Sequence, residues 1–286
     1  MDQRESNEIF TMQQAKRAGF ETKSVLKDDF GIEIPVELAP LPSCGKIYSS
    51  DSPLFMKDSL EIKAMTAKQE DILTSRALIK NGTVITTLLK SCLVDPSIDV
   101  DSMVAGDRNA LMIAIRITGY GSEYHVKSIE CSLCSKKSEQ TFNLSELELK
   151  PLQIEPIVVG ENLFEFTLPV SGNVVRFKYL TGRDDREIAQ MAEKKKKLNL
   201  NYEDGVTGTL AHSIVSVKTK TAEISDKTKI GMFVQGMPAR DSLALRQYME
   251  KNEPGIVMKT TMSCPHCSDD SEVRLPLEAS FFWPDR

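Results

Sequence analysis

An α+β fold is what this 286-residue sequence predicts: a helical body, short antiparallel strands and two cysteine-tipped hairpins. Three observations predict it. Stretches such as TAKQEDILTSRALIKNG, RNALMIAIRITGYG and ARDSLALRQYMEKN carry apolar residues at helical spacing. Shorter stretches alternate apolar and polar residues, as half-buried strands do. Two CxxC pairs, Cys131 with Cys134 and Cys264 with Cys267, lie far apart in the chain within matching surroundings.

The cysteine pairs organise the rest. A CxxC knuckle turns two thiolates back onto one point, and two knuckles supply the four soft ligands of a closed tetrahedral Zn²⁺ site. Such a site leaves no position for water or substrate, so it is structural. Both pairs read strand, knuckle, polar turn, strand. Ile129 and Met262 lie two residues before the first cysteine of each pair. Phe142 and Leu275 lie eight after the second cysteine, and Leu144 and Leu277 ten after. The expectation is one structural Zn²⁺ in a zinc-ribbon-like site, with hairpins at 125–144 and 256–277. Common ribbons place their knuckles about 15–20 residues apart; here most of a domain intervenes. A redox pair or a disulfide is the alternative for each CxxC, although no βαβ unit precedes either.

Composition sets the class. Apolar content of 41% and charged content of 27% suit a soluble globular chain, and 286 residues bury a sizeable core. A net charge of -5 disfavours broad attraction to nucleic acid or membranes. Six cysteines fit a reducing compartment better than a secreted disulfide framework. No apolar run nears the roughly 20 residues that span a bilayer. MDQRESNEIF has no apolar core of a secretory signal, so the expected location is a cytoplasm or something assembled there.

In chain order, residues 1–30 read as an arm. Ile9, Phe10 and Met12 form one amphipathic turn in a segment that is either a disordered tail or orders on a partner. Residues 31–58 read as an extended segment, because Pro35, Pro40 and Pro42 exclude helix. Ile32, Ile34, Val36 and Leu38 alternate there with Glu33 and Glu37, as in an edge strand or a strand laid on the body. Residues 59–286 read as a single globular domain. SLEIKAM is its first strand. Thr66 and Gln69 stand in capping-box spacing before a helix that runs to Asn81-Gly82. Val84, Ile85, Leu88, Leu89 and Cys92 form one face of the next helix. Asp107 is placed as the cap of RNALMIAIRITGYG, a helix apolar nearly all round and therefore buried on several sides. Arg116 within it reads as a snorkelling or paired arginine.

QIEPIVV, LFEFTLP and VVRFKYL read as strands, the last two joined by the turn SGN. In TGRDDREIAQMAEKKKKL, acidic residues at the start and Lys194 to Lys197 at the end complement a helix dipole. Residues 206–217 fit helix or strand. Asp226 caps KTKIGMFVQG, and ARDSLALRQYMEKN ends before Pro254-Gly255. Phe281, Phe282 and Trp283 close the chain, either packed on the core or as a docking patch.

No motif for a phosphate loop, dinucleotide fold, zinc protease or serine hydrolase is present. The three histidines, His125, His212 and His266, neighbour no plausible nucleophile, and Asp184-Asp185 is explained by capping. The reading is therefore non-enzymatic.

Several long strings, DILTSRALIKNGTVI, GDRNALMIAIRITGYGSEY before a CxxC, MPARDSLALRQYMEKNEPGI, and a CxxC closing in LPLEASFFWP, resemble the T-even-type (contractile-tailed) phage baseplate hub proteins. The resemblance spans roughly residues 32–284. It implies a structural or assembly component of a baseplate hub in the virion tail, put together in the host cytoplasm. It also implies docking to other baseplate or tail proteins, with no membrane and no catalytic residue. Zinc rests on the cysteines alone. The other reading is a zinc-ribbon nucleic-acid adaptor. Lys127, Lys136 and Lys137 on the first hairpin favour it, and Asp269, Asp270 and Glu272 on the second oppose it.

Overall fold

The computed structural model describes residues 25–27, 31, 33–197, 205–276 and 279–282. Ile9, Phe10, Met12, Ile32, Leu277 and Trp283 lie outside the described residues. All named strands pair antiparallel, and one helix forms the centre.

Strand β2 (Glu33–Pro40) lies between β1 (Val25–Lys27) and β3 (Ser59–Lys63). Of the two expectations, an edge strand or a strand laid on the body, neither is complete: β1 pairs with Glu33–Pro35 of β2, and Val36–Pro40 pair with β3. The simple alternation also fails, because Leu38 is 45% exposed whereas Val36 and Ala39 are buried. Nor is 31–58 set apart from the body. After β2 the chain winds through turns that bury Leu41, Ile47, Tyr48 and Leu54 in the same core as the helices. The prolines rule out helix but not burial.

The Thr66–Gln69 capping box forms, with the Thr66 N–H donating to Gln69 Oε1 at 3.0 Å. One expected helix is two: α1 (Ala67–Thr74) and α2 (Arg76–Lys80), broken where Ser75 takes an extended conformation. Helix α3 (Val84–Cys92) buries Leu88, Leu89 and Cys92 completely, so Cys92 is a small core hydrophobe.

Helix α4 (Ala105–Tyr120) is the central element, buried from Ala110 through Ile117 without a polar stripe. It stops at Gly121, whose φ of 83° suits glycine. Gly106 in its first turn is a close-approach glycine. A Cβ there would lie 1.7 Å from the Pro254 carbonyl oxygen.

QIEPIVV is a loop rather than a strand. It contains Pro156 and leaves Ile157, Val158 and Val159 about half exposed. The hairpin that follows is as expected: β7 (Phe164–Thr167) pairs with β8 (Val174–Phe177) across a turn with Gly172 at φ 68°. Helix α5 (Gly182–Lys197) starts at a Thr181–Asp184 cap. Both options for 206–217 are realised in succession, as α6 (Gly205–Ser213) and then β9 (Ile214–Lys218), which joins β8. Asp226 caps α7 (Lys227–Gln235) by accepting the Lys229 N–H at 2.9 Å. Helix α8 (Ala239–Asn252) leads into the last hairpin. Phe164, Phe177 and Tyr179 form an aromatic cluster with centroids 5.0–5.8 Å apart, which Tyr248 of α8 extends.

Candidate metal centre

Two hairpins carry the knuckles. The first is β4 (Glu123–Glu130) with β5 (Lys137–Asn143), and the second is β12 (Lys259–Ser263) with β13 (Asp270–Arg274). Each folds back because one serine just after its second cysteine enters the left-handed region: Ser135 at φ 56° and Ser268 at φ 60°. Without a Cβ-free residue there, each turn costs about 1 kcal/mol of backbone strain. The hydrogen bonds that hold it are the same in both. The Cys131 N–H donates to the Lys136 carbonyl at 3.0 Å, and the Ser135 N–H to the Cys131 carbonyl at 2.9 Å. The Cys264 and Ser268 N–H groups repeat this with the Asp269 and Cys264 carbonyls at 3.0 and 2.9 Å.

Ile129 and Met262, predicted as matching positions, are both buried beside the knuckles, and Phe142 and Leu275 are buried at the far ends of the two hairpins. The hairpin tips face each other. Ser132 Oγ donates to the Glu272 carbonyl at 2.7 Å, and Gln140 Nε2 to the Ser263 carbonyl at 3.3 Å.

The structure brings all four predicted sulfurs together, within 4.8 Å of one another. Cys131 Sγ lies 3.9 Å from Cys267 Sγ, and Cys134 Sγ 3.7 Å from Cys264 Sγ. A regular tetrahedron of metal–sulfur bonds about 2.3 Å long has edges of about 3.8 Å. A disulfide needs about 2.05 Å, and all six cysteines are free thiols. The spacing therefore fits one closed four-sulfur metal site and no S–S bond. Cys131 and Cys264 are buried; Cys134 and Cys267 are half-buried.

The electrostatics agree. The Cys134 N–H, the Ser271 hydroxyl and the Leu133 N–H point at Cys131 and lower its thiol to about 6. The Cys267 and His266 N–H groups lower Cys264 in the same way. At Cys267 the Asp269 N–H pulls downward, but burial and the neighbouring cysteines outweigh it and push the thiol up to about 12. Cys134 is raised too: there the Lys136 N–H is overcome by burial and by Cys264 and Cys131. Four sulfurs this close ionise together only around a cation, which reverses the mutual repulsion.

Two buried charges flagged in the sequence have partners that the sequence did not show. Arg116 is completely buried. Its Nε donates to the Phe281 carbonyl at 2.9 Å, and its two terminal nitrogens to the Gly121 and Glu123 carbonyls at 2.8 and 3.0 Å. One guanidinium thus ties the core helix to the start of β4 and to the C-terminal turn. Asp107 does not cap its helix; Val104 occupies that place. Its carboxylate lies inside the first turn and accepts the Ser43 N–H (2.9 Å), the Ser43 hydroxyl (2.6 Å) and the Tyr48 hydroxyl (2.5 Å). Burial raises its pKa, partly offset by those donors. The only signal for either was a charge interrupting an apolar helix face.

Of the aromatic triplet, Phe281 and Phe282 are fully buried, Phe281 edge-on to Tyr124 at 5.1 Å. They belong to the core, which corrects the docking alternative for these two residues. His212 is half-buried, and neither His212 nor His266 joins the sulfur cluster. Among the described residues no helix is long and apolar enough to cross a membrane.

A family model described as T4 bacteriophage base plate protein matches residues 41–283. The chain belongs to that family. The match covers both knuckles, the central helix and the buried terminal aromatics. Membership in the T4 base plate family implies a structural role in a phage tail, a place in the virion tail, and contact with other tail or base plate proteins. No curated protein and no solved structure matches the chain.

Proposed function

We propose that the chain is a non-enzymatic structural or assembly component of the baseplate hub of a contractile-tailed phage, acting by docking to other baseplate and tail proteins. Within it, Cys131, Cys134, Cys264 and Cys267 hold one structural Zn²⁺. The observation that carries the reading is the base plate family match together with a closed sulfur cluster inside its span. A tetrahedral all-thiolate cage suits Zn²⁺, with iron the competing soft ion. The ion supplies no catalytic position. Its proposed role is to hold the second hairpin against the first, leaving the body stiff enough for neighbours to assemble on. Proposed docking residues are Ile9, Phe10 and Met12 of the N-terminal arm and Trp283 at the other end.

The test is assembly. The purified chain should co-purify with other baseplate proteins, and phage lacking it should accumulate unassembled tails in the host cytoplasm. Normal tails without it would contradict the proposal. Salt-sensitive retention of nucleic acid by the purified chain would instead favour the adaptor reading.

A further inference from the structure

We infer that the chain is a tandem duplication: one unit of strand, turn, strand, helical segment, long helix and cysteine hairpin occurs twice, at 36–143 and 163–275, the second copy adding the rest of β9 and α7 before its long helix, and the four-sulfur site joins the two units. The likeness of the two knuckles is the last part of a correspondence that runs through the whole body.

It begins at the first strand of each unit. β2 runs into LPSCG (residues 41–45) and β7 into LPVSG (residues 168–172), with Gly45 at φ 67° and Gly172 at φ 68°. The register repeats pair by pair. Pro40↔Ser59, Ala39↔Leu60, Leu38↔Glu61 and Glu37↔Ile62 correspond to Thr167↔Val174, Phe166↔Val175, Glu165↔Arg176 and Phe164↔Phe177. The closing bond repeats as well. The Leu41 N–H donates to the Asp58 carbonyl at 2.7 Å, and the Leu168 N–H to the Asn173 carbonyl at 2.8 Å.

A capping threonine follows each second strand, Thr66 after β3 and Thr181 after β8. The Thr66 N–H meets Gln69 at 3.0 Å, and the Thr181 N–H meets Asp184 at 2.9 Å. Each following helical segment ends in a residue that pairs back onto that strand: Leu93 onto Ile62, and Ile214 onto Phe177. Then come the long helices, AGDRNAL and ARDSLAL. Their third residues, Asp107 and Asp241, are both fully buried. Asp107 accepts the Ser43 N–H at 2.9 Å, and Asp241 the Val170 N–H at 2.7 Å, at the same place in the two LP turns. A strand register, a helix cap, a buried carboxylate tether and a knuckle recurring in one order are not the product of local propensity. Each alone is common; the shared order is what descent from one unit explains.

The units differ where they meet. Gly106 in α4 corresponds to Arg240 in α8. Only glycine admits the Pro254 carbonyl onto the helix, so the second unit's turn covers α4 while α8 keeps a polar outer face. This accounts for the central helix being apolar all round when its counterpart is not. The sulfur contacts Cys131–Cys267 and Cys134–Cys264 exchange under a local two-fold axis. An ion there takes two ligands from each unit, as an ion between the subunits of a homodimer would. That last step rests on the metal reading; the repeat itself rests on bonds that need no ion.

Hydrogen exchange on the full chain tests both parts separately. Asp107→Asn is expected to raise exchange at least about tenfold in residues 41–45 and β2–β3 only, and Asp241→Asn to do the same in residues 168–172 and β7–β8 only. Effects of either change spread evenly over both units, or absent from its own turn, would overturn the duplication. Removing the metal with a chelator should release both hairpins together and leave β2–β3 and β7–β8 protected. Release of one hairpin alone would overturn the joint. If either variant fails to fold, a crystal structure of the full chain decides: the two units must superpose in the register given above, and any other register contradicts the inference.

Discussion

Gly106→Ala should be among the most disruptive single-methyl additions in this chain. The added Cβ would sit 1.7 Å from the Pro254 oxygen, 2.7 Å from its carbon and 3.1 Å from the Gly255 Cα. All three are backbone atoms, so no side chain can swing aside. Restoring an ordinary separation of about 3.2 Å requires α4 or the 254–255 turn to retreat by about 1.5 Å, and overpacking of this kind costs about 1–3 kcal/mol or more. The higher helix propensity of alanine returns about 1 kcal/mol. A net loss of about 2 kcal/mol follows from the upper part of that range, or about 4–8 °C in melting temperature for a chain this long. The displaced turn leads directly into β12, so the second knuckle moves with it and metal retention should fall. Gly231→Ala in α7 is the control, since nothing lies within 4 Å of its Cβ position; it should be neutral or stabilising by up to about 1 kcal/mol. The assay is denaturant unfolding with metal content measured on the same samples. Equal stability of Gly106→Ala and its parent would refute the packing of the second unit against α4.

Three further outcomes are expected. Arg116→Met removes all three buried carbonyl contacts and should cost about 3 kcal/mol or more in denaturant unfolding; a loss below 1 kcal/mol would show that water replaces the guanidinium. Burial raises the Asp184 carboxyl, but the Lys178 ammonium and the Thr181 N–H and hydroxyl overcome this and hold it below the usual range. A depressed folded pKa contributes stability that is full above the ordinary Asp value of about 3.9 and is lost as pH falls through and below it. Asp184→Asn should therefore flatten the acid limb of the stability–pH curve, and an unchanged limb would contradict the assignment. Cys131→Ser and Cys264→Ser should lower metal content and melting temperature to a similar extent, because each removes one of four equivalent ligands. A large effect of only one would contradict a shared site.

Much of this was legible in the sequence because the relevant signals are local. Helical periodicity located α3, α4 and α8, and capping chemistry at Thr66 and Asp226 located two helix starts. The four cysteines were legible for another reason, since a knuckle announces its chemistry in four residues. What was missed depends on partners distant in the chain. Asp107 looked like a cap because Ser43 and Tyr48, which it binds, carry no motif. The pairing of β1 with Glu33–Pro35 of β2 was not legible, because β1 is three residues long. QIEPIVV looked like a strand from its β-branched residues, yet no strand among the described residues pairs with it. For Phe281 and Phe282 the sequence offered both core packing and docking, and it did not show the partners that meet Phe281, Arg116 and Tyr124 from far upstream.

X-ray absorption at the metal edge of the purified, reduced chain addresses the central claim most directly. One ion per chain, surrounded by four sulfurs at about 2.3 Å, is the predicted result. Two ions per chain, none, or a shell containing nitrogen or oxygen would contradict it.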